Sequence, residues 1–169
     1  EKEIGRMYRL EGIQKAFRKH GYPIEHVEVV SPDFATYSGY PANTSEFSNG
    51  YDLTVKVLDN HTKSTAFIGN NDMTAFGIMS ALSDRGYRIP QDYSVCGFDN
   101  INLSSMPQIS LTTIEHASEL KGREAVDIIY RKNMTKKKTG GSKYNYIMRL
   151  EYEPELIIRN SSGKCRKKS

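Results

Sequence analysis

Two short polar clusters in the sequence have the residue types that bind small polar molecules. Asn71-Asp72 closely follows the apolar run 65–69, and Asp99-Asn100 follows the apolar run 93–98. Carboxylates only accept hydrogen bonds, whereas amides both donate and accept them, so such clusters can hold hydroxyl groups. In open parallel sheets, ligands bind at the carboxyl ends of the strands. The clusters are therefore candidate ligand contacts.

Each cluster also has a purely structural interpretation. Asn71 or Asp72 is a suitable N-cap for a helix that starts at Met73, because their side chains can accept from free backbone N–H groups. Asp99 has the residue type of an ordinary turn position. The residue chemistry alone leaves both interpretations open.

The sequence offers little support for catalysis or for a cofactor. No serine or cysteine lies in a nucleophile motif, and neither GxGxxG nor a Walker sequence is present. A hydrolase with Asp72 and Asp99 as acid and base is the alternative, but no neighbouring residue type indicates a raised pKa. We therefore expect no enzyme activity, no cofactor and no metal site. Four histidines are scattered without metal-ligand spacing: His20, His26, His61 and His116.

Length and composition predict one domain of the α/β class. The 169 residues can bury one core of ordinary size, and no apolar run is long enough for a membrane helix. The N-terminus has no secretory pattern. The two cysteines, Cys96 and Cys165, lie far apart in an apolar run and a basic tail, so we expect no disulfide and a cytoplasmic location.

The net charge of +4 comes from two basic stretches. Ten of the 24 basic residues lie in 131–143 and 164–168, which leaves 14 basic against 20 acidic residues elsewhere. A phosphate-binding face on the rest of the chain is therefore not expected. We interpret the two stretches as a solvated loop and a frayed tail.

The spacing of apolar residues predicts alternating helices and strands. Two continuous apolar strands on either side of a helix indicate a buried parallel sheet, in which the two polar clusters, 28 residues apart, would lie on neighbouring loops. Gly and Pro positions suggest the boundaries. The predicted elements are helices at 4–20, 51–58, 73–86 and 117–132, strands at 26–30, 65–69, 93–98, 144–150 and 155–159, and loops at 33–49 and 133–142.

Several longer segments resemble the LacI/GalR family of bacterial transcription regulators. They occur in the family's order and with its spacing, and together cover most of 4–163. The segments are RLEG at 9–12, STAFIGNNDMTAFG at 64–77, RGYRIPQDYSVCGFDN at 85–100, LTTI at 111–114 and PELIIRNSSG at 154–163.

The resemblance implies a parallel flavodoxin-like sheet flanked by helices, the C-terminal lobe of a type I periplasmic-binding-protein-like fold. Residues 1–163 would be the C-terminal part of the effector-binding domain, and 164–169 a disordered basic tail. The helix at 117–132 would belong to the N-terminal lobe, otherwise missing from this chain. We expect its apolar side to be exposed or to form a dimer contact.

The resemblance also implies a set of ligand-binding residues: Arg9, Phe34, Asn71, Asp72 and Asp99. Polar groups from this set would contact the effector, and the Phe34 ring would supply an aromatic surface. About 11 residues are inserted after Tyr40 relative to the family, so Phe47 competes with Phe34 for that role.

The implied function is effector sensing in a dimeric transcription regulator. A small polar metabolite such as a sugar would bind in the cleft between two lobes and change DNA binding by a helix-turn-helix headpiece. The headpiece is not in this chain, so the chain should not bind operator DNA by itself. A sugar-binding protein of a transport system is the alternative.

Overall fold

The computed structural model describes residues 2–31, 46–139 and 149–165 of the chain. Within these ranges the structure has four α-helices and four short strands, together with 3-10 turns at Ile24–His26 and Asn102–Ser105. In chain order the elements are α1 (Lys2–Lys19), α2 (Glu46–Asp59), β1 (Ala66–Ile68), α3 (Asp72–Asp84), β2 (Ser94–Cys96), β3 (Thr113–Glu115), α4 (Ser118–Thr139) and β4 (Glu155–Ile157).

Within the described residues, the strands form two two-stranded sheets, a parallel β1–β2 pair and an antiparallel β3–β4 pair. β1 pairs with β2 so that Phe67 lies opposite Val95. An isolated parallel bridge between Cys96 and Thr112, the residue before β3, connects the two pairs, and β4 runs antiparallel to β3. The predicted α/β class with a parallel strand-helix-strand unit is confirmed.

The hydrophobic core lies between α3 and the strands. Leu82, Val95 and Leu111 have no exposed surface. Apolar residues of α3 recur at helical spacing, so one face of that helix is buried. The buried cluster consists of Leu58, Ala75, Ile78, Leu82, Tyr93, Val95 and Leu111.

Helices α2 and α3 pack closely because two glycines lie at their contact. A Cβ atom on Gly50 would lie 2.2 Å from the Thr74 carbonyl oxygen. A Cβ atom on Gly77 would lie 2.0 Å from the Phe47 carbonyl oxygen. Any larger side chain at either position would separate the helices, so these glycines determine where the N-terminus of α2 lies relative to α3.

The predicted strand at 26–30 is wrong. The chain forms a 3-10 turn at Ile24–His26 and then runs on without strand pairing. Val29 and Val30 are exposed. Their β-branched side chains favour extended backbone, but a strand also needs a partner, and none of the strands in the described ranges pairs with this segment.

Two predicted loops are partly helical. α2 begins at Glu46, so the last residues of the predicted loop 33–49 are helix, with an acidic residue in the first turn. α4 runs to Thr139, well beyond the predicted end at 132, because the basic stretch holds no helix breaker before Gly140. Residues 33–45 and most of the predicted strand 144–150 lie outside the described residues.

The apolar side of α4 is exposed, as predicted. Val126, Ile129 and Tyr130 are each more than 60% exposed. These residues recur at three- and four-residue spacing, so they share a face of the helix. The helix therefore carries an uncovered apolar surface on this chain.

Candidate functional site

The two polar clusters lie on neighbouring loops at the carboxyl ends of β1 and β2. The Gly69 N–H donates to the Cys96 carbonyl oxygen at 2.8 Å, and the Asp72 N–H donates to the Phe98 carbonyl oxygen at 2.8 Å. These bonds continue the strand pairing past the ends of the strands. The predicted neighbourhood of the loops is thus confirmed.

The backbone at Asp99 and Asn100 is held in an unusual conformation. Their φ angles are +118° and +50°, a region that non-glycine residues rarely adopt. The Asp99 N–H donates to the Ile114 carbonyl oxygen at 3.0 Å. The Asn100 amide bonds the side chains of Arg159 and Glu115 at 2.7 and 3.0 Å. Anchors on both sides therefore fix the direction in which Asp99 points.

The Asp99 carboxylate is half-buried beside an imidazole. Its Oδ1 lies 3.2 Å from His116 Nε2. Burial raises the pKa of Asp99 above its ordinary value, although the nearby His116 and Arg9 act in the opposite direction. The site thus keeps a carboxylate where water only partly solvates it, and an additional hydrogen-bond donor would stabilise its charged form.

Arg9 brings helix α1 to the same edge of the sheet. Its guanidinium carbon lies 3.7 Å from the centre of the Phe98 ring, within cation–π distance. Its Nη1 atom donates to the backbone oxygen of Asn70 and, at 3.2 Å, to the Asn70 side-chain oxygen. Arg9 therefore lies against the ring of Phe98, the residue that directly precedes Asp99 in the sequence.

Asn71 is the N-cap of α3. Its Oδ1 accepts from the Thr74 N–H and from the Thr74 hydroxyl, both at 2.9 Å. Its Nδ2 donates to Glu46 Oε2 at 2.5 Å. The capping interpretation is confirmed, and the half-buried amide also lies at the strand edge beside a carboxylate from α2.

Asp72 is placed in the core and away from solvent. Its side chain is 1% exposed, and its oxygens accept from the Ile101 N–H at 2.9 Å, the Ser104 hydroxyl at 2.6 Å and the Thr113 hydroxyl at 2.5 Å. A Cβ atom on Gly97 would lie 2.3 Å from Asp72 Oδ1, so a larger residue would displace the carboxylate. The prediction of Asp72 as a direct ligand contact is corrected: this residue supports the loop that carries Asp99.

The predicted aromatic contact is not located. Phe34 lies outside the described residues. Phe47 is half-buried in the first turn of α2, where its backbone meets Gly77. The choice between the two aromatic residues therefore stays a prediction.

The structure adds residues that sequence reasoning did not place at the site. A hollow of about 770 Å³ extends from Asp99 along the loop 100–102 to the junction of β3 and α4, where His116, Ser118 and Arg123 line it. Of the predicted set within the described residues, Asp99 lines this hollow, whereas Arg9, Asn71 and Asp72 do not. The signal for His116 was its place two residues after the LTTI block.

Glu115 fixes the start of α4. Its Oε1 accepts from the Ala117 N–H at 2.7 Å, and its Oε2 accepts from Asn100 Nδ2. The Asn100 bond, followed by backbone N–H groups of Ala117 and Ser118, lowers the pKa of Glu115. The loop after β2 and the first turn of α4 are therefore held together through one carboxylate.

The part of the chain that the structure describes shows neither a metal site nor a membrane-spanning helix. No group of three or more histidine, cysteine, aspartate or glutamate side chains there could hold a metal ion. Across 2–31, 46–139 and 149–165, no helix is long and apolar enough to cross a membrane.

Comparison with protein families gives a match over nearly the whole chain. Residues 5–162 match the model of the periplasmic binding protein-like domain. The HTH-type transcriptional repressor PurR of Haemophilus influenzae (strain PittEE) is 34% identical over 154 residues, which are 90% of this chain and 41% of that protein. The chain thus spans about two fifths of the length of this curated relative.

Solved structures give the same result. A LacI-family transcriptional regulatory protein from Corynebacterium glutamicum has a TM-score of 0.66 and 30% identity, over 92% of this chain and 53% of that one. A LacI family transcriptional regulator from Enterococcus faecium with bound ribose has a TM-score of 0.69 and 25% identity, over 91% and 50%.

Proposed function

This chain belongs to the periplasmic binding protein-like domain family, as the effector-binding region of a LacI/GalR-type regulator, and from that premise we propose that it binds a sugar-like metabolite. The proposed contacts are Arg9, Asn71 and Asp99, at the carboxyl ends of β1 and β2. Phe34 or Phe47 would add the aromatic surface. In the intact regulator, the ligand would favour one arrangement of two lobes and so alter DNA affinity.

The observation that carries the proposal is the arrangement around Phe98. The guanidinium of Arg9 lies over this ring, the half-buried carboxylate of Asp99 belongs to the next residue, and the loop of Asn71 is joined to Phe98 by the Asp72 N–H. Sugars present hydroxyl edges and apolar faces, so a mixture of acceptors, donors and an aromatic ring is suited to them. The ribose held by the Enterococcus faecium regulator is consistent with that chemistry.

The exposed face of α4 supports a further part of the proposal. Val126, Ile129 and Tyr130 would be covered in the intact regulator by the N-terminal lobe or by a second copy of the protein. Homodimerisation is proposed on the same basis, because a dimer would pass the change in lobe arrangement to paired DNA-binding headpieces. The headpieces would supply the contacts to operator DNA.

A thermal-shift screen tests the proposal. The probes are D-ribose, cellobiose, D-ribose 5-phosphate and adenine, measured with the wild-type chain and with Asp99→Asn. A ligand at about 100 times its Kd stabilises the folded state by about 2.7 kcal/mol, which corresponds to about 5–10 °C for a domain of this size. We expect such a shift from a sugar in the wild type and its loss in Asp99→Asn.

The matched control is Asp127→Asn, the same change on the exposed surface of α4. It should keep the full shift. A sugar that shifts all three proteins equally binds elsewhere, and the assignment to Asp99 is then wrong. If none of the three sugar probes shifts the wild type, the sugar-like class is refuted, whatever the result with adenine.

A further inference from the structure

The imidazole ring of His116 contacts several residues at the proposed effector site. Its ring stacks on Phe98 with a centre separation of 5.6 Å and an angle of 23° between the planes. Its Nε2 lies 3.2 Å from Asp99 Oδ1, and Lys121 Nζ on α4 lies 3.2 Å from its Nδ1. The Ser118 hydroxyl oxygen lies within 3.3 Å of both ring nitrogens. The imidazole thus connects the loop after β2 to α4.

The contact with Lys121 determines which ring nitrogen carries the proton. An ammonium group only donates hydrogen bonds, so the nitrogen that it contacts must be an acceptor. With Nδ1 as the acceptor, the tautomer that satisfies both contacts carries its proton on Nε2. That N–H points at Asp99 Oδ1, so the imidazole donates to the carboxylate.

The donation leaves the two oxygens of Asp99 in different states. Oδ1 accepts from the imidazole, whereas no hydrogen bond to Oδ2 is found among the described residues. A carboxylate with one fixed oxygen cannot rotate freely, so the direction of the other oxygen is set as well. The stacking on Phe98 holds the imidazole itself in one plane.

We propose that His116 is the positioning residue of the effector site: it fixes Asp99 Oδ1 so that Oδ2 accepts a hydrogen bond from a hydroxyl group of the effector. Lys121 holds His116 in the tautomer that can donate. This inference rests on the proposed function for its ligand class, but the imidazole–carboxylate pair exists without a ligand and is measurable separately.

The first part of the test measures the tautomer by NMR without any ligand. Long-range ¹H–¹⁵N spectra of the full chain distinguish the protonated ring nitrogen from the bare one. We expect the Nε2–H tautomer for His116, with an Nε2 shift that moves in Asp99→Asn and a tautomer that becomes mixed in Lys121→Met. An Nδ1–H tautomer, or an Nε2 shift unchanged by Asp99→Asn, overturns the proposal regardless of whether the sugars bind.

The second part measures Kd for D-ribose and cellobiose by calorimetry. His116→Leu cannot donate and should bind about tenfold more weakly than wild type, the ratio that corresponds to loss of one ordinary hydrogen bond. His116→Gln has an amide N–H that can reach Asp99, and should restore most of the affinity.

The remaining outcomes separate the two proposals. Wild-type affinity in His116→Leu overturns the positioning role while the sugar site stands. The same weakening in His116→Gln and His116→Leu also overturns it, because a packing role alone then explains the loss. An intact pair with no binding of either sugar refutes the sugar-like ligand class, and with it the effector role of His116.

Discussion

Replacement of Asp72 by alanine removes the acceptor that ties three segments together. The carboxylate is buried and accepts from the Ile101 N–H, the Ser104 hydroxyl and the Thr113 hydroxyl. Both hydroxyl-bearing residues have no exposed surface. Water therefore cannot easily replace the lost acceptor, and three donors would be left without their partner.

The expected loss can be worked from these three bonds. Hydrogen bonds to a charged group contribute about 1.5–3 kcal/mol each, but the two hydroxyls can rotate and the buried charge disappears together with the side chain. The Ile101 N–H cannot rotate. We therefore expect Asp72→Ala to lower the free energy of unfolding by about 3–5 kcal/mol, a large part of the roughly 5–15 kcal/mol of an ordinary domain.

Urea unfolding followed by far-ultraviolet circular dichroism measures this loss, since the chain has no tryptophan. Asp72→Asn keeps one carbonyl oxygen as an acceptor and should lose about half as much. Asp127→Ala, on the exposed surface of α4, should change the free energy by less than about 0.5 kcal/mol. A loss of under about 1 kcal/mol in Asp72→Ala would refute the supporting role of this carboxylate.

Three further predictions concern pH and packing. Because burial raises the pKa of Asp99, the folded chain holds this proton more tightly than the unfolded chain. The unfolding free energy of Asp99→Asn relative to wild type should therefore increase as pH rises from 4 to 7. A difference that does not change with pH contradicts this prediction. Because the bond from Asn100 lowers the pKa of Glu115, Glu115→Gln should be less stable than wild type at pH 7. Urea titrations should show this difference in unfolding free energy closing as pH falls below about 4.5. A difference that widens in acid contradicts this prediction. Gly77→Ala should lower the free energy of unfolding in urea by about 3 kcal/mol, since its Cβ would lie 2.0 Å from a backbone oxygen. Gly122→Ala on α4, with open space around it, should be neutral or stabilising. Equal effects of the two changes would show that α2 and α3 are not in close contact.

The sequence predicts the central unit of the fold well because its signals are local. The apolar runs at 65–69 and 93–98 become β1 and β2, and α3 between them is amphipathic and capped by Asn71. The family segments and the spacing also indicate that the Asn71 and Asp99 loops are neighbours. These features depend on short-range periodicity and on a rule for strand-helix-strand units.

The errors arise where the structure depends on distant partners. Residues 26–30 have strand propensity but no strand to pair with, and propensity alone cannot reveal that. The error about Asp72, predicted to contact the ligand but buried, and the failure to place His116 at the site have a similar cause. Asp72 is buried by Ser104 and Thr113, and His116 reaches Asp99 through the pairing of the chain after β2 with β3. Such contacts between distant residues are not visible in a local motif.

The most direct test of the account is an NMR titration of the full chain with D-ribose and cellobiose. Amide shifts should change most at 69–72 and 97–101, together with Arg9 and His116, and Asp99→Asn should abolish these changes. Shift changes centred on another part of the chain, or none with either sugar, would contradict the claim that this edge of the sheet is an effector site.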